Sequence, residues 1–273
     1  MRYGLPYKGS KSKIAEWIVE QLPPSEVFVD IFMGGGAVTH AAMLSGKWER
    51  FIANDISGTP ILFRNAISGE FDGYSEVPSR DDFFLSDDAA LRLLYSFGND
   101  AQTYLWGDEY ERVKVPASRM LSAPSVHERR KYYRDFIKAL RENVKVHMER
   151  ASIESLEGLT RLQALERLQG LQALERLQVM VSDYRNVKIP DWATVYADPP
   201  YRNTSEHYGG FDFDAFDKWL AEVDFPVYVS EYDAPDGCVC IAERKVVRKL
   251  DGYKSNEITE KLFIQERFAN EIS

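Results

Sequence analysis

Apolar and polar stretches alternate near the N-terminus in an order that predicts a strand, a glycine turn, a helix and a second strand. A short apolar run over 27–32 ends at Gly34-Gly35-Gly36, and residues 37–44 have a helix-forming composition. A second apolar run, 51–54, ends at Asp55, about 20 residues beyond the glycines. This order predicts the start of a nucleotide-binding α/β unit.

The C-terminal part of the chain resumes the alternation. Residues 194–197 form an apolar run that leads into Asp198-Pro199-Pro200-Tyr201, where two prolines exclude both a helix and further strand pairing. After this turn the pattern predicts an amphipathic helix over 213–223 and strands over 227–230, 239–242, 245–247 and 261–264. The fold class predicted for the chain is therefore α/β.

The segment between these two parts does not continue the alternation. Ser125-Val126-His127-Glu128 is a capping-box pattern, and it predicts a helix that runs to about residue 147. One face of this helix is expected to carry Tyr133, Ile137, Leu140 and Val144. We therefore predict that residues 1–67 and 182–273 form one domain and that 68–181 is an inserted, mainly helical domain.

An internal repeat lies at the end of the insertion, over 156–178. The eight residues 162–169 recur at 171–178, and leucine occupies every third position. On an α-helix this spacing drifts by about 60° per leucine and gives no single stripe, whereas long 3₁₀-helices are uncommon. The conformation stays open, and so do two roles: a self-association or spacer element, or a surface insertion of variable length.

Charge is strongly segregated along the chain. The net charge is −9, but 112–150 contains eleven Lys and Arg against four Asp and Glu, which makes it +7 and the remainder −16. Because neutralising phosphates requires clustered cations, any DNA site must be local to this stretch. The alternative is a merely solvated helix face.

Composition narrows the class of protein further. No apolar run approaches the roughly 18 residues of a membrane span, and the N-terminus lacks the apolar core of a signal peptide, so we expect a cytoplasmic protein. Cys238 and Cys240 are expected to be reduced, buried strand residues. The four histidines have no metal-ligand spacing, so no metal is expected.

The glycine turn and the acids around it favour one type of ligand. Gly34-Gly35-Gly36 allows the backbone to approach a small molecule, but it lacks the GxGxxG spacing and the Gly-Lys-Ser/Thr ending of pyrophosphate sites. Asp30 would suit a positively charged amino group, and Asp55 can accept hydrogen bonds from ribose hydroxyls. Together these residues fit S-adenosylmethionine better than NAD.

The segment from Asp198 to Tyr201 carries the strongest chemical signal. An extruded adenine offers two N–H donors, which the Asp198 carboxylate and the Pro199 carbonyl can accept, while Tyr201 can stack on the base. The nitrogen lone pair would then face a sulfonium methyl without any covalent enzyme intermediate. The alternative is a plain proline turn at a strand end.

These motifs resemble the class D12, Dam-like DNA adenine N6-methyltransferases. Residues 6–13 look like the N-terminal cofactor motif of that family, and residues 30–36 resemble its methionine-binding loop. Residues 54–56 resemble its ribose-binding strand end, and Ser182-Asp183-Tyr184 resembles the Asp-aromatic pair that contacts the cofactor's adenine. Residues 198–201 match its DPPY catalytic motif. The resemblance implies a Rossmann-like methyltransferase sheet, with the insertion recognising double-stranded DNA. Recognition of GATC is not implied, because the insertion cannot be aligned residue by residue.

The resemblance and the residue chemistry give one set of candidate site residues. Those expected to bind S-adenosylmethionine are Tyr7, Lys11, Asp30, Phe32, Gly34, Gly35, Gly36, Asp55, Ile56, Asp183, Tyr184 and Asp198. Those expected to act in catalysis are Asp198, Pro199, Pro200 and Tyr201. Candidate DNA contacts are Lys8, Asn99, Tyr104, Arg129, Arg130 and Lys131, of which Asn99 and Tyr104 lie in a stretch that either contacts bases or belongs to the core.

The expected function is therefore transfer of a methyl group from S-adenosylmethionine to N6 of a flipped adenine in DNA, in a bacterial or phage-infected cell. Two alternatives stay open: a methyltransferase acting on RNA or protein, and a catalytically inactive DNA-binding relative. We expect a monomer or a weak dimer, with the leucine repeat as a possible contact between copies.

Overall fold

The computed structural model describes residues 3–7, 9–70, 76–97, 100–142, 168, 174–202, 211–251 and 254–271. Its α-helices are α1 (Ala15–Gln21), α2 (Ala37–Ser45), α3 (Thr59–Ser68), α4 (Arg80–Leu85), α5 (Ala89–Leu94), α6 (Asp108–Ser122), α7 (Val126–Glu142) and α8 (Phe213–Glu222). Its strands are β1 (Val27–Asp30), β2 (Arg50–Asp55), β3 (Leu177–Val181), β4 (Ala193–Ala197), β5 (Val227–Glu231), β6 (Cys238–Asp251) and β7 (Lys254–Gln265).

The strands form one sheet in the order β3-β2-β1-β4-β5-β7-β6. Strands β1 to β5 pair in parallel, whereas β7 runs antiparallel to both β5 and β6. The order 3-2-1-4-5 of the parallel strands is that of a Rossmann sheet, with a direction change between β1 and β4. The predicted α/β fold with a Rossmann-like sheet is confirmed.

The central strands are buried on both faces, as a parallel sheet requires. Every residue of β1, β4 and β5 is buried, which explains why their sequences are almost continuously apolar. Apolar residues of these three strands pack with Phe216 and Leu220, two residues of α8 that lie one helical turn apart. The predicted helix over 213–223 is thus confirmed, and it covers one face of the sheet.

The C-terminal hairpin is longer and more regular than the sequence pattern indicates. Residues 239–242 and 245–247 belong to one strand, β6, because Glu243 and Arg244 between them remain paired with β7. Both cysteines are free thiols, as expected, but Cys240 is exposed rather than buried. The prediction of two buried cysteines is therefore wrong, since Cys238 is only partly buried and Cys240 is exposed on β6, an edge strand of the sheet.

The chain divides into two compact units. The described residues within 11–61 and 173–273 form the first, which contains the sheet. Those within 2–10 and 62–172 form the second, and its described part contains α4, α5, α6 and α7. Strand β3 joins the edge of the sheet, although residues 177–181 were assigned to the insertion; the domain boundaries themselves stay a prediction.

Helix α7 begins after the predicted N-cap, Ser125, with one of the two hydrogen bonds of a capping box. The Glu128 backbone N–H donates to Ser125 Oγ at 3.2 Å, and Ser125 Oγ donates to Glu128 Oε2 at 2.7 Å. The predicted face is confirmed in part, because Ile137 and Leu140 are partly buried and pack with Phe136 and Ala139 against α6. Tyr133, expected on the apolar face, is 52% exposed.

Most of the leucine repeat, together with Val144, lies outside the described residues. Leu174–Arg176 forms a 3₁₀ turn, and Leu177 begins β3. The repeat therefore leads directly into the edge strand of the sheet. In the parts of the chain that the structure covers, no helix has the length and apolar content needed to cross a membrane.

Candidate active site

The strand order brings the chemically significant residues to one edge of the sheet. The chain runs outward from β1 to β2 and β3 and then returns to β4 on the other side of β1, so a crevice opens at the carboxyl ends of β1 and β4. Asp30 ends β1, and it stands in register with Tyr196, two residues before Asp198. The two candidate acids, 168 residues apart in sequence, thus lie at the ends of neighbouring strands.

The glycine loop after β1 is built from backbone conformations that favour glycine. Gly34 and Gly36 have positive φ values of 51° and 71°, in the left-handed region. Gly36 is also the N-cap of α2, so the loop presents the N-terminus of that helix to the crevice. Asp55 Oδ2 accepts the Gly34 backbone N–H at 2.8 Å, and its Oδ1 accepts two hydrogen bonds from Ser57. Asp55 therefore holds the loop in place, in addition to any contact with ribose.

Asp30 is a buried carboxylate with one open oxygen. Its side chain is 1% exposed, and Oδ2 accepts a hydrogen bond from Thr39 Oγ1 at 2.7 Å. Oδ1 is buried and has no hydrogen-bond partner among the described residues. Burial raises the pKa of Asp30 to about 8, and the negative charges of Asp198 and Asp55 contribute to the increase. A cationic group beside Oδ1 would supply the missing partner and would lower the pKa of Asp30 again.

Asn54 connects the ends of three strands. Its side-chain Nδ2 donates to the backbone carbonyls of Ile31 at 3.1 Å and Ser182 at 3.0 Å, and its Oδ1 accepts the Ser182 N–H at 3.2 Å. Asn54 itself is 1% exposed. These bonds fix the residues that follow β1 and β3 relative to β2. The sequence analysis did not predict this role, since it assigned Asn54 only to a ribose-binding strand end.

Asp198 lies just beyond β4 in an ion pair with Lys11. Lys11 Nζ is 2.9 Å from Asp198 Oδ1, and the two side chains are 7% and 19% exposed. Lys11 Nζ also lies 4.4 Å from the centroid of the Tyr201 ring. Burial raises the pKa of Asp198, while the Lys11 ammonium acts in the opposite direction. The structure thus joins one end of the predicted N-terminal cofactor motif to the predicted catalytic segment.

Two buried glutamates belong to the same cluster, and sequence reasoning missed both. Tyr201 Oη donates to Glu260 Oε2 at 2.8 Å, and Glu260 is 4% exposed. Glu231, at the end of β5, is 3% exposed and accepts the Tyr232 N–H at 3.0 Å. Burial raises the pKa of Glu231 to about 7. The available signal was their position directly beside a predicted strand, Glu231 after 227–230 and Glu260 before 261–264.

The Asp-aromatic pair takes up its own local contacts. Tyr184 is 7% exposed and packs on Phe32 with ring centroids 5.1 Å apart. Asp183 accepts hydrogen bonds from Arg185 Nε at 2.8 Å and Nη2 at 2.7 Å. Phe32 and Tyr184 are therefore brought together beside the loop after β1, and their role toward an adenine ring stays a prediction.

The remaining candidates for cofactor binding are less enclosed. Ile56 is 77% exposed, directly after Asp55. Tyr7 is half-buried and belongs to the second compact unit, where its carbonyl accepts the Ser10 N–H at 3.2 Å. Neither arrangement tests the predicted contact with a cofactor.

The candidate DNA contacts fall into three groups. Lys8 and Asn99 lie outside the described residues. Tyr104 is 5% exposed and donates its hydroxyl to the Pro78 carbonyl at 2.7 Å, so the structure places it in the core rather than on a surface. Arg129, Arg130 and Lys131 are exposed on α7.

The crevice has features that fit S-adenosylmethionine. The open oxygen of Asp30 suits the amino group of its methionine part, and the glycine loop admits a close approach of the backbone. For a metal ion, the residues that the structure describes contain no cluster of three or more His, Cys, Asp or Glu side chains.

Comparison with protein families gives one match. The family model for D12 class N6 adenine-specific DNA methyltransferases matches residues 7–92. The matched part includes Lys11, the glycine loop and Asp55, and it ends before Asp198. No curated protein sequence matches the chain.

Several solved structures match the fold. A putative RNA methyltransferase from Pyrococcus horikoshii is 12% identical with a TM-score of 0.38, covering 92% of this chain and 79% of that one. A putative methylase from Haemophilus influenzae is 13% identical with a TM-score of 0.35, covering 96% and 91%. M. jannaschii TYW2 in complex with AdoMet is 12% identical with a TM-score of 0.33, covering 93% and 74%. At TM-scores this low, the fold assignment rests on the strand order, and substrates do not carry over.

The family match and the residues at the carboxyl ends of β1, β2 and β4 lead to one assignment. The chain is an S-adenosylmethionine-dependent methyltransferase with a Rossmann-like sheet, and its residues 7–92 match the family model of D12 class N6 adenine-specific DNA methyltransferases.

Proposed function

We propose that the protein methylates N6 of adenine in double-stranded DNA. One observation carries the proposal: the Asp198-Pro199-Pro200-Tyr201 segment follows β4 at the crevice where Asp30 ends β1. Direct methyl transfer requires the target base and the cofactor to lie side by side, and this placement of a base-binding segment and a cofactor-binding carboxylate on adjacent strands meets that requirement. The D12 family match adds support, since it covers the cofactor-binding half of this arrangement.

Each residue of the site has a defined task in this proposal. Asp198 and the Pro199 carbonyl accept the two N–H groups of an extruded adenine, which orients the nitrogen lone pair. Lys11 favours the ionised form of the Asp198 carboxylate through their 2.9 Å ion pair. Asp30 Oδ1 accepts a hydrogen bond from the cofactor's amino group.

The reaction itself needs little covalent chemistry from the protein. When bound, S-adenosylmethionine supplies an electrophilic methyl group on a positively charged sulfur. The adenine nitrogen forms the new C–N bond as the C–S bond breaks with its electron pair left on sulfur, and the amine then loses one proton. Burial raises the pKa of Asp198, which makes its carboxylate a better acceptor for that proton.

Helix α7 supplies a surface that suits DNA phosphates. Arg130, Arg134, Lys138 and Arg141 are exposed and follow the spacing i, i+4, i+8 and i+11, so they share one face over roughly 16 Å of helix. Glu142 lines the same depression as Arg134, Lys138 and Arg141, whereas Glu128 and Asp135 lie on a side turned by roughly 115°. Four cations against one acid along this face support an anion-binding role over a merely solvated face.

The proposed substrate is tested by incubating the purified protein with S-adenosylmethionine and separate pools of mixed-sequence duplex DNA, total RNA and protein. We expect N6-methyladenine in DNA, located by sequencing at a defined set of sites. Methyl transfer to RNA or protein alone would reject the proposal while leaving the methyltransferase assignment intact.

The proposed role of Asp198 is tested by Asp198→Asn, which keeps the shape of the side chain and removes its charge. We expect methyl transfer to fall by at least a factor of about 100, because a group oriented toward the reacting nitrogen is lost. Binding of S-adenosylmethionine, measured by calorimetry, should change far less. Near-normal turnover of this variant on DNA would contradict the role.

A further inference from the structure

The ring of Tyr201 is restrained on several sides by buried groups. Its hydroxyl donates to Glu260 Oε2 at 2.8 Å, and the Lys11 ammonium lies over its face at 4.4 Å. The ring of Tyr232 meets it at 4.4 Å between centroids, with planes inclined by 83°. The ring is 7% exposed, so each of these contacts limits its rotation.

Glu260 occupies a position where strand β7 would otherwise take an apolar residue. Leu262 and Ile264, two and four residues on, point to the same face and are fully buried at 0% exposure. Burying a carboxylate is costly unless its oxygens are bonded, so the position must be occupied for a reason other than packing. The Tyr201 hydroxyl is the bonded donor, and it comes from 59 residues away in sequence.

The topology explains how these two residues meet. Strand β7 pairs with β5 only up to Glu231↔Lys261, so Glu260 is the first residue of β7 beyond the end of β5. Tyr201 follows β4 on the other side of β5. The two side chains therefore meet over the carboxyl end of β5, on the crevice side of the sheet.

We infer that Glu260 is a positioning residue, which through the Tyr201 hydroxyl holds the aromatic ring of the 198–201 segment in the orientation that the target base requires. This inference rests on the proposed function, in which Tyr201 stacks on an extruded adenine. The Tyr201 hydroxyl carries a single hydrogen, so its bond to Glu260 fixes the direction of the hydroxyl as well as that of the ring.

Three variants separate the hydrogen bond from the charge. Tyr201→Phe removes the hydroxyl and keeps the ring, Glu260→Gln keeps an accepting oxygen and removes the charge, and Glu260→Leu removes both. Glu257→Gln is the matched control, because Glu257 lies three residues earlier on β7 but is 56% exposed and paired with Lys245.

We expect Tyr201→Phe and Glu260→Leu each to lower kcat by roughly ten- to a hundredfold, the value of one hydrogen bond to a charged group. Glu260→Gln should keep kcat within about threefold of wild type because its amide oxygen still accepts. Affinity for S-adenosylmethionine should be unchanged in all variants. The double variant Tyr201→Phe/Glu260→Leu should be no slower than either single variant, since both remove the same bond.

A spectroscopic measurement distinguishes positioning from a merely structural role. DNA with 2-aminopurine at the methylated position should fluoresce more strongly in complex with Tyr201→Phe and Glu260→Leu than with wild type, because a loosened ring stacks less on the extruded base. If Glu260→Leu does not fold, Tyr201→Phe and the double variant Tyr201→Phe/Glu260→Gln decide the question in the same way.

The outcomes separate the two proposals. If wild-type protein does not methylate adenine in DNA, the proposed function fails. If it does, and Tyr201→Phe keeps wild-type kcat and fluorescence, or the losses of the two single variants multiply, the inference on Glu260 is overturned and the proposed function stands.

Discussion

Asp30 shows how one residue can link folding, pH and ligand binding. The pKa of the Asp30 carboxyl is about 8 in the folded chain and near its ordinary value of 3.8 in the unfolded chain. At a pH between these two values, the folded state therefore binds more protons than the unfolded state. Stability contributed by this group is therefore present at low pH and is lost as pH rises through that window. Burial of the carboxylate is the physical origin of the effect, and the hydrogen bond from Thr39 offsets it only in part.

This linkage predicts a pH-dependent difference between wild type and Asp30→Asn. Between pH 5 and 8.5, wild-type melting temperature should fall relative to that of the variant, because only wild type must ionise a buried carboxyl. Saturating S-adenosylmethionine should reduce the fall, since its amino group stabilises the ionised form. Thermal melts of both proteins across this pH range test the prediction. If the melting temperatures of wild type and variant change in parallel with pH, the prediction is contradicted.

At the scale of elements, Asn54 holds together the strand ends that form the crevice. Asn54→Ala would leave the Ser182 N–H and two backbone carbonyls without their present partner in the interior. We expect a loss of about 2–4 kcal/mol in unfolding free energy and weaker cofactor binding. Urea unfolding measures the first quantity and calorimetry the second.

The matched control for this change is Asn186→Ala, an exposed asparagine in the same compact unit. It should alter the unfolding free energy by no more than about 0.5 kcal/mol. Equal effects of the two substitutions would mean that the hydrogen bonds of Asn54 contribute nothing beyond the loss of a side chain.

The basic face of α7 gives a second prediction at this scale. Replacing Arg130, Arg134 and Lys138 together by alanine should weaken DNA binding and reduce the slope of log K against log salt by about 2–3, because each phosphate contact contributes about 0.9. Binding isotherms at several salt concentrations provide the measurement.

A charge-matched control removes three exposed lysines elsewhere, Lys188, Lys218 and Lys245. That variant has the same change in net charge, so its slope should remain close to wild type if the contact is local. An unchanged slope in the α7 variant, or an equal decrease in the control, would place the DNA-binding surface elsewhere.

At the scale of the whole molecule, charge is segregated along the chain, and the proposed function assigns the cofactor and the nucleic acid to different parts of it. The stretch 112–150 has a net charge of +7, whereas the remainder of the chain has −16. Cofactor and nucleic acid should accordingly protect different parts of the chain. At about 100 times its Kd, S-adenosylmethionine should slow amide exchange up to about a hundredfold over 30–37 and 54–57, with little effect on α7.

Duplex DNA added without cofactor should instead protect α7, at residues 126–142. Hydrogen-exchange mass spectrometry on the full chain measures both patterns in one experiment. Protection of α7 by the cofactor alone, or of the glycine loop by DNA alone, would contradict this division of tasks.

Local patterns determined much of the site in advance. The strand, glycine loop and helix over 27–45, the turn after β4 and the N-cap at Ser125 each depend on residues close together in sequence, where backbone preferences and periodicity act directly. The ordering of these elements was enough to place Asp30 and Asp198 at strand ends. The contacts of Lys11 with Asp198 and Tyr201 were not predicted, because Lys11 precedes α1 and its position depends on packing.

Other features were decided only by the tertiary structure. Glu260 and Tyr201 are 59 residues apart, and nothing in either segment encodes their hydrogen bond. Tyr104 was a candidate for DNA contact but is buried, and Tyr133 was assigned to an apolar face but is exposed. Both differences arise because the packing partner of a helix or turn determines which of its faces is buried. The amino-acid order determined the elements and their chemistry, whereas strand pairing and helix packing determined which distant side chains share one environment.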